Sequence, residues 1–478
     1  MIFGTSISEL LPFAPFISLS GAIVVLIGAH FARWSYTIIL GLVAILLTAA
    51  WVSTFMLPSI GGNIWGITFD AIGMTGLQII LPVLLAIAVM GISVETYDRK
   101  VATLMLVLLS GVGAIATLIA HNWMVLFVAV QCLSIPIYAL IAGSGQESGA
   151  LSASLKYLLL SAIAMAFMLF GIMLLYSAFG TMDFYEQAKV WPQVWERSGV
   201  LVSLGLAHVL VGFGFKLSLA PFHAWAPDVY EHAPLPVLGL LILVTKSVII
   251  LAFLRAGLVL NEIMSGNWSL ILPAIILLSL WVGNGLMLWE KHFLRLLAFL
   301  SIGHLGFLLV AVMAHNRHGV DAIYLDLAAF AVAILVVLST LQALKGRRLV
   351  KFSIDEFRGL HEEYPWHAAV LTLALISLAG IPLTAGFVGK YAIFMAGIAA
   401  GQWFLVANMA AVSVLGICAL VRVVMVFYQP LFEKSATKRQ PISSLLVLGA
   451  VALIVFGLMP DFWLSWVQDQ TAGIMVGH

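Results

Sequence analysis

Five basic residues fall inside long apolar runs of this sequence: Lys156, Lys216, Lys246, Lys390 and Arg422. Placing a lysine or arginine near the centre of a membrane helix costs about 2.5–3.5 kcal/mol on insertion scales, so such residues mark function by default. Near the end of a run a long basic side chain can snorkel to the interface, and that reading stays open for Lys156 and Arg422. It does not serve Lys246, about halfway along its run, or Lys216 and Lys390, which sit beside proline- and glycine-rich interruptions. The chemistry open to a buried lysine is reversible protonation. Burial lowers an amine's pKa from about 10.4 by several units, and a nearby charge moves it again. Arginine stays protonated, so Arg422 reads as a fixed charge that tunes its neighbours.

Histidines supply a second set of titratable groups. His223 follows the first interruption and His304 lies within the run LLAFLSIGHLGFLLV. His208 precedes Lys216 by eight residues, about two helical turns or 12 Å along an axis. Each could relay a proton near neutral pH, or simply hydrogen-bond a backbone carbonyl; the second reading is favoured for His208. Asp326 is the one other acid near the middle of an apolar run.

The elements that must position these groups are membrane spans. Hydrophobic residues make up 63% of the 478-residue chain and charged residues 9%, against about 25% charged in soluble domains. Such a chain cannot cover a water-facing surface and must face the lipid bilayer. At about 20 apolar residues per span, about fourteen runs qualify. They are Leu10–His30, Ser35–Phe55, Gly73–Val94, Val101–Ile119, Trp123–Ala142, Leu151–Tyr176, Gly199–Leu219, Val237–Leu258, Trp268–Trp289, Leu294–Ala314, Asp321–Leu344, His367–Ala399 (broken in the middle), Trp403–Tyr428 and Ile442–Trp466. The fold class is therefore all-α and polytopic. One set of alternate loops holds Arg33, Arg99, Lys100, Lys291, Arg295, Lys345, Arg347, Arg348, Lys351, Arg358, Lys434, Lys438 and Arg439, the other only Lys189, Arg197, Arg255 and Arg317. The positive-inside rule puts the first set in the cytoplasm and both termini outside. Met1–Phe16 contains Glu9 and no lysine or arginine, unlike a cleaved signal peptide, so the first run is expected to be a retained span.

Two interruptions, GFGFKLSLAPFHAWAPDVYEHAPLP (Gly212–Pro236) and SLAGIPLTAGFVGKYAIF (Ser377–Phe394), each carry a lysine at the break. Broken helices in corresponding positions of two halves point to inverted-repeat transporters, and unwound backbone lining a cavity holds the water that proton transfer needs. The expected organisation is an N-terminal helical segment over residues 1–98, repeats at 99–256 and 257–428, and a C-terminal helix in 429–478. With a net charge of +1 and no basic tail, nothing points to nucleic acid. Cys132 and Cys418, both in apolar runs, cannot build an iron–sulfur or zinc site. Nucleotide-binding fingerprints are absent, so energy must come from partners or an ion gradient.

The stretch Gly212–Pro234 closely resembles the signature of the antiporter-like membrane subunits of respiratory complex I, in the form typical of subunit N. SLKYLLLSA (Ser154–Ala162), LRLLAFLSIGHLGFLLVA (Leu294–Ala311) and Ser377–Phe394 match the same subunit in order and spacing, and the resemblance runs from about Ile72 to Tyr428. It implies a proton-translocating subunit in a bacterial inner membrane. In it Lys216 is the central proton-carrying lysine of the first half-channel, Lys246 links it to the middle, His304 lies on the central axis, and Lys390 is the terminal lysine of the second half-channel. It also implies that NADH, FMN, iron–sulfur clusters and quinone are bound by partner subunits, none by this chain, and that M-like, K-like, J-like and L-like membrane subunits are neighbours. Lys156 matches a lysine that the family pairs with a glutamate on the preceding span; here that position is Gln131, so altered or absent coupling in this half is one expectation. A multi-subunit cation/proton antiporter and a non-pumping paralogue are the alternative readings.

Overall fold

The computed structural model describes residues 14–56, 60–64, 67–90, 97–143, 149–259, 268–346, 348–430 and 443–472. Glu9, the first residues of the Leu10–His30 run, the end of Gly73–Val94, and the loop charges Arg347, Lys434, Lys438 and Arg439 lie outside these. A helix apolar all round has no water-facing stripe and suits lipid or a protein core, and the chain forms such helices throughout. They are α1 (Ala14–Phe31), α2 (Tyr36–Met56), α3 (Ala71–Met90), α4 (Tyr97–Ile119), α5 (Trp123–Ala142), α6 (Ala150–Phe179), α7 (Phe184–Leu217), the short α8 (Ala226–His232) and α9 (Leu235–Val259). There follow α10 (Trp268–Met287), α11 (Phe293–Met313), α12 (Arg317–Leu344), α13 (Pro365–Ala379), α14 (Ala385–Ala399), α15 (Trp403–Phe427), α16 (Ser444–Leu458) and α17 (Pro460–Thr471). A two-stranded antiparallel hairpin, β1 (Ile60–Ile64) and β2 (Ile67–Phe69), lies between α2 and α3.

Twelve helices among the described residues are long and apolar enough to cross a membrane. The broken pair α13/α14 and the bent pair α16/α17 account for the last two of the about fourteen spans expected. Three irregularities differ from the sequence reading. The run expected to begin at Gly199 is preceded, without a break in hydrogen bonding, by residues 184–197, and the two parts meet at a kink where Ser198 has φ −138° and ψ 25°. Glu186, Lys189, Glu196 and Arg197 lower the hydropathy of that lead-in without harming its helicity. The final run is bent by 86° at Pro460, which has no N–H to continue the ladder. In α9 the stretch Leu240–Thr245 is a π-helix, a widened turn often found at functional sites.

The chain packs as two compact units. The first contains the described residues of Met1–Leu217, Pro236–Met264 and Gln470–His478, the second those of Ser218–Leu235 and Ser265–Asp469. They share devices. In the first, α4 meets α5 so closely at Gly113 that a Cβ there would lie 2.2 Å from the Leu133 nitrogen. In the second, α10 meets α11 at Gly283, where a Cβ would lie 2.2 Å from the Gly303 nitrogen. The residue ahead of α5, Asn122, bridges to Asp183, and that ahead of α11, His292, bridges to Ser353. Each bridge ties the start of one span to the chain beyond the next.

Candidate proton-relay site

In the first unit the site is built around Lys216, in the last turn of α7 and 1% exposed. Small residues bring it there. Gly205 and Gly212 of α7 face α6, where a Cβ on Gly212 would meet Met168 at 2.6 Å. The Lys216 ammonium donates to Ser134 Oγ at 2.7 Å, Ser161 Oγ at 2.9 Å and the Tyr138 hydroxyl at 3.1 Å. Ser134 and Tyr138 are four residues apart on α5 and so share a face; Ser161 comes from α6. Tyr138 also donates to Ser161 at 2.6 Å, and Ser134 to the Val130 carbonyl at 2.7 Å. The rings of Tyr138 and Tyr157 each lie 5.6 Å from Nζ, within cation–π range. Hydroxyls both donate and accept, so this cage can accept hydrogen bonds from an ammonium or donate one to the neutral amine. None of these four residues was singled out from sequence: serine and tyrosine in an apolar run look like satisfied core residues, and only their spacing on α5 hints otherwise.

Lys246, 3% exposed, follows the π-helical stretch of α9 directly. Every residue of Leu240–Thr245 is buried. The widened turn ends at the lysine, so departure from α geometry and buried charge coincide, as they do at Lys216.

In the second unit four helices contribute. Lys390 of α14 donates to the carbonyls of Leu378 and Ala379, both at 2.9 Å, at the end of α13. These are carbonyls that the break leaves without an intrahelical partner. Gly380 (φ +80°) turns the chain there, and its lack of a side chain makes room for the lysine stem, since a Cβ would meet Lys390 Cδ at 2.6 Å. Phe307 of α11 lies 5.4 Å under the ammonium. His304, also on α11, pairs with Asp326 of α12 at 2.5 Å, Nε2 to Oδ2, both buried.

The remaining candidates lie elsewhere. Lys156 is exposed on α6 and Gln131 is half-buried on α5. His208 is bonded through Nδ1 to the Leu204 carbonyl at 2.7 Å and wedged between Phe167 and Phe170, the local role that its position suggested. His223 is half-buried in the turn ahead of α8. Arg422 of α15 donates to the Glu290 carbonyl at 2.6 Å, tying its helix to the loop before α11.

A charged cluster unforeseen from sequence secures one end of the first unit. Arg255, 1% exposed, forks onto Asp70, with Nη2 to Oδ1 at 2.5 Å and Nε to Oδ2 at 2.9 Å. Its Nη1 donates to the Ala120 carbonyl at 3.0 Å. The next residue, His121, lies 3.1 Å from Asp183.

Buried lysines at helix irregularities, set among apolar spans, define an ion-translocating membrane subunit. A family profile described as NADH:quinone oxidoreductase/Mrp antiporter, TM matches residues 120–416. NADH-quinone oxidoreductase subunit N of Acinetobacter baumannii is 35% identical over 77% of this chain and 76% of its own length. Subunit N 1 of Solidesulfovibrio magneticus is 37% identical over 77% of this chain and 79% of its own. A chain of respiratory complex I from Thermus thermophilus superposes with a TM-score of 0.79 at 25% identity, covering 94% of this chain and 98% of that one. A chain of the Mrp complex from Dietzia shares the fold, with a TM-score of 0.81 at 18% identity over 98% of this chain and 97% of that one. The chain belongs to the NADH:quinone oxidoreductase/Mrp antiporter transmembrane family, and within it to the subunit N group.

Proposed function

We infer that this chain is a membrane-arm subunit of a proton-translocating NADH-quinone oxidoreductase and that it moves protons through Lys216, Lys246 and Lys390, with His304 and His223 on the same route. One observation supports this above all: each of these lysines sits where a helix ends, widens or breaks, Lys216 and Lys246 buried and Lys390 half-buried. Lys216 and Lys390 are held by neutral groups, hydroxyls in one unit and main-chain carbonyls in the other. The Lys216 ammonium, whose partners are all hydroxyls, can release its proton without breaking a buried ion pair, a step that costs about 3–5 kcal/mol on mutational evidence. At Lys216 the amine left behind can accept from one of the hydroxyls to which the ammonium donated, through its single lone pair. The repeats read at 99–256 and 257–428 fit this plan, one lysine break to each.

NADH, FMN, iron–sulfur clusters and quinone belong, in this reading, to partner subunits. M-like, K-like, J-like and L-like membrane subunits are the expected neighbours, in a bacterial inner membrane with both termini on the periplasmic side. Purification of the native complex tests the assembly: co-purifying flavin and iron–sulfur subunits support it, and their absence supports a cation/proton antiporter. The route is tested at Lys390. Lys390→Ala lowers protons translocated per electron, and Lys390→Arg does not restore them, since arginine keeps its proton. Full recovery with arginine would reduce the position to a fixed charge.

A further inference from the structure

The structure assigns the acid of this chain's proton path to Asp326, paired with His304 beside Lys390, in a unit and on a helix where no motif marks it. The assignment rests on the proton-conducting role of Lys390 proposed above. The subunit N pattern places its acid at the position that is Gln131 here, and the Lys216 ammonium in that unit is held by three hydroxyls. In the second unit the carboxylate is present and built in.

Four observations place it. Asp326 is 3% exposed in the interior of α12, well away from water at either helix end. Its Oδ2 lies 2.5 Å from His304 Nε2, so with the carboxyl ionised the imidazole N–H donates to it. The His304 ring is stacked on Phe330, with centroids 3.7 Å apart and planes 7° from parallel. Phe330 is four residues beyond Asp326 and shares its face, so one helix supplies both the acid and the plate that fixes its imidazole. Finally, α14 approaches α12 at Gly389, the residue before Lys390. A Cβ there would lie 2.7 Å from both Asp326 Cα and Oδ1. Only a glycine admits the aspartate so close to the lysine's backbone.

The arrangement makes a charge switch. With neutral His304 and ionised Asp326 the pair carries one negative charge and holds the nearby ammonium. A proton arriving at His304 makes the pair net neutral, shared as imidazolium and carboxylate or as imidazole and carboxylic acid. The attraction on Lys390 is then gone, and its ammonium gives a proton to water at the α13/α14 break. One proton enters at His304 and one leaves from Lys390. When the pair passes its proton to the neutral Lys390 amine through water at the break, the pair is anionic again and Lys390 is reloaded, so one proton has entered and one has left.

The test uses the assembled complex in sealed vesicles, scoring protons translocated per electron passed to quinone. Asp326→Asn is expected to lower the ratio by the same fraction as Lys390→Met, and the double variant by no more than either alone. Asp326→Glu, which restores the charge, is expected to recover at least half of the loss, which a role in packing alone would not produce. His304→Gln carries the same comparison if Asp326→Asn does not assemble. A wild-type ratio in Asp326→Asn alongside a loss in Lys390→Met overturns the assignment and leaves the route standing, as does a double variant whose loss is the sum of the two. Wild-type ratios in Lys216→Met and Lys390→Met together overturn the route and this assignment with it.

Discussion

Replacing Lys216 with methionine separates a proton-carrying role from a structural one, because the structure implies that the exchange is almost neutral for folding. The ammonium makes three hydrogen bonds to hydroxyls. Bonds to a charged group contribute about 1.5–3 kcal/mol each, or about 4.5–9 kcal/mol together. Against them stands the desolvation of a buried ion, also several kcal/mol, so that buried charges are often replaced by apolar residues of similar volume at little cost. After Lys216→Met, Tyr138 still donates to Ser161 and Ser134 to Val130, which keeps both hydroxyls partnered. The net change should stay within about 2 kcal/mol. The complex should therefore assemble, as judged by native electrophoresis and by electron transfer in detergent, where no proton gradient opposes it. In vesicles, with acidification followed by a pH-sensitive dye, protons per electron should fall. A wild-type ratio in the assembled variant would refute the relay. Failure to assemble would refute the energetic argument, because the cage would then depend on the charge.

Three further outcomes follow from the packing and the charged cluster. Gly113→Ala and Gly283→Ala each force a methyl to 2.2 Å from a neighbouring backbone nitrogen, an overpacking that costs about 1–3 kcal/mol or more. Both should lower the assembled yield, whereas Gly285→Ala, with open space around it, should not. Asp70→Asn leaves Arg255 buried without its counter-charge and should cost about 3–5 kcal/mol, read as loss of complex at raised temperature; Asp70→Asn with Arg255→Met should be milder than Asp70→Asn alone. His121 lies between spans, where burial is the main influence holding its imidazole below the usual range; Arg255 acts the same way, and Asp183 and Asp70 act against it. The unfolded chain takes up that proton first, so stability is lost as pH falls below about 6.5. His121→Gln should flatten thermal stability measured between about pH 7.5 and 5.5.

Much of this was legible in the sequence, because the bilayer imposes one length and one solvent on every span. The runs, both breaks and the lysines at them are visible as letters. What was hidden has physical causes. The π-helical stretch LLILVT contains neither proline nor glycine, and its apolar residues are those that an ordinary helix would use. The lead-in of α7 carries enough charge to fall below a hydropathy threshold while remaining helical. The bend of the last span needed weight on Pro460, which the run-length criterion ignored. The Lys216 cage draws on α5, α6 and α7, with Ser134 separated from the lysine by 82 residues. Asp326 was noticed as an isolated acid, but its partnership with His304 depends on how α11 and α12 pack, and no periodicity reports that.

On the proposed route the two units would control similar lysines by different means. Lys216 is surrounded by hydroxyls, which reorient by rotation about a single bond. Whether it holds or yields its proton follows from how Ser134, Tyr138 and Ser161 arrange their own protons, a local event without long range. Lys390 sits close to the buried His304–Asp326 pair, and in the proposed switch its protonation would respond to a change in that pair's net charge, which acts at a distance in a medium of low dielectric. Glutamine at position 131 then need not be a defect. By the resemblance an acid at that position would pair with Lys156, and the Lys216 ammonium keeps its three hydroxyl partners without it. On the proposed route, the second unit would hold an electrostatic trigger at Lys390, while Lys216 in the first would respond to its hydroxyls alone.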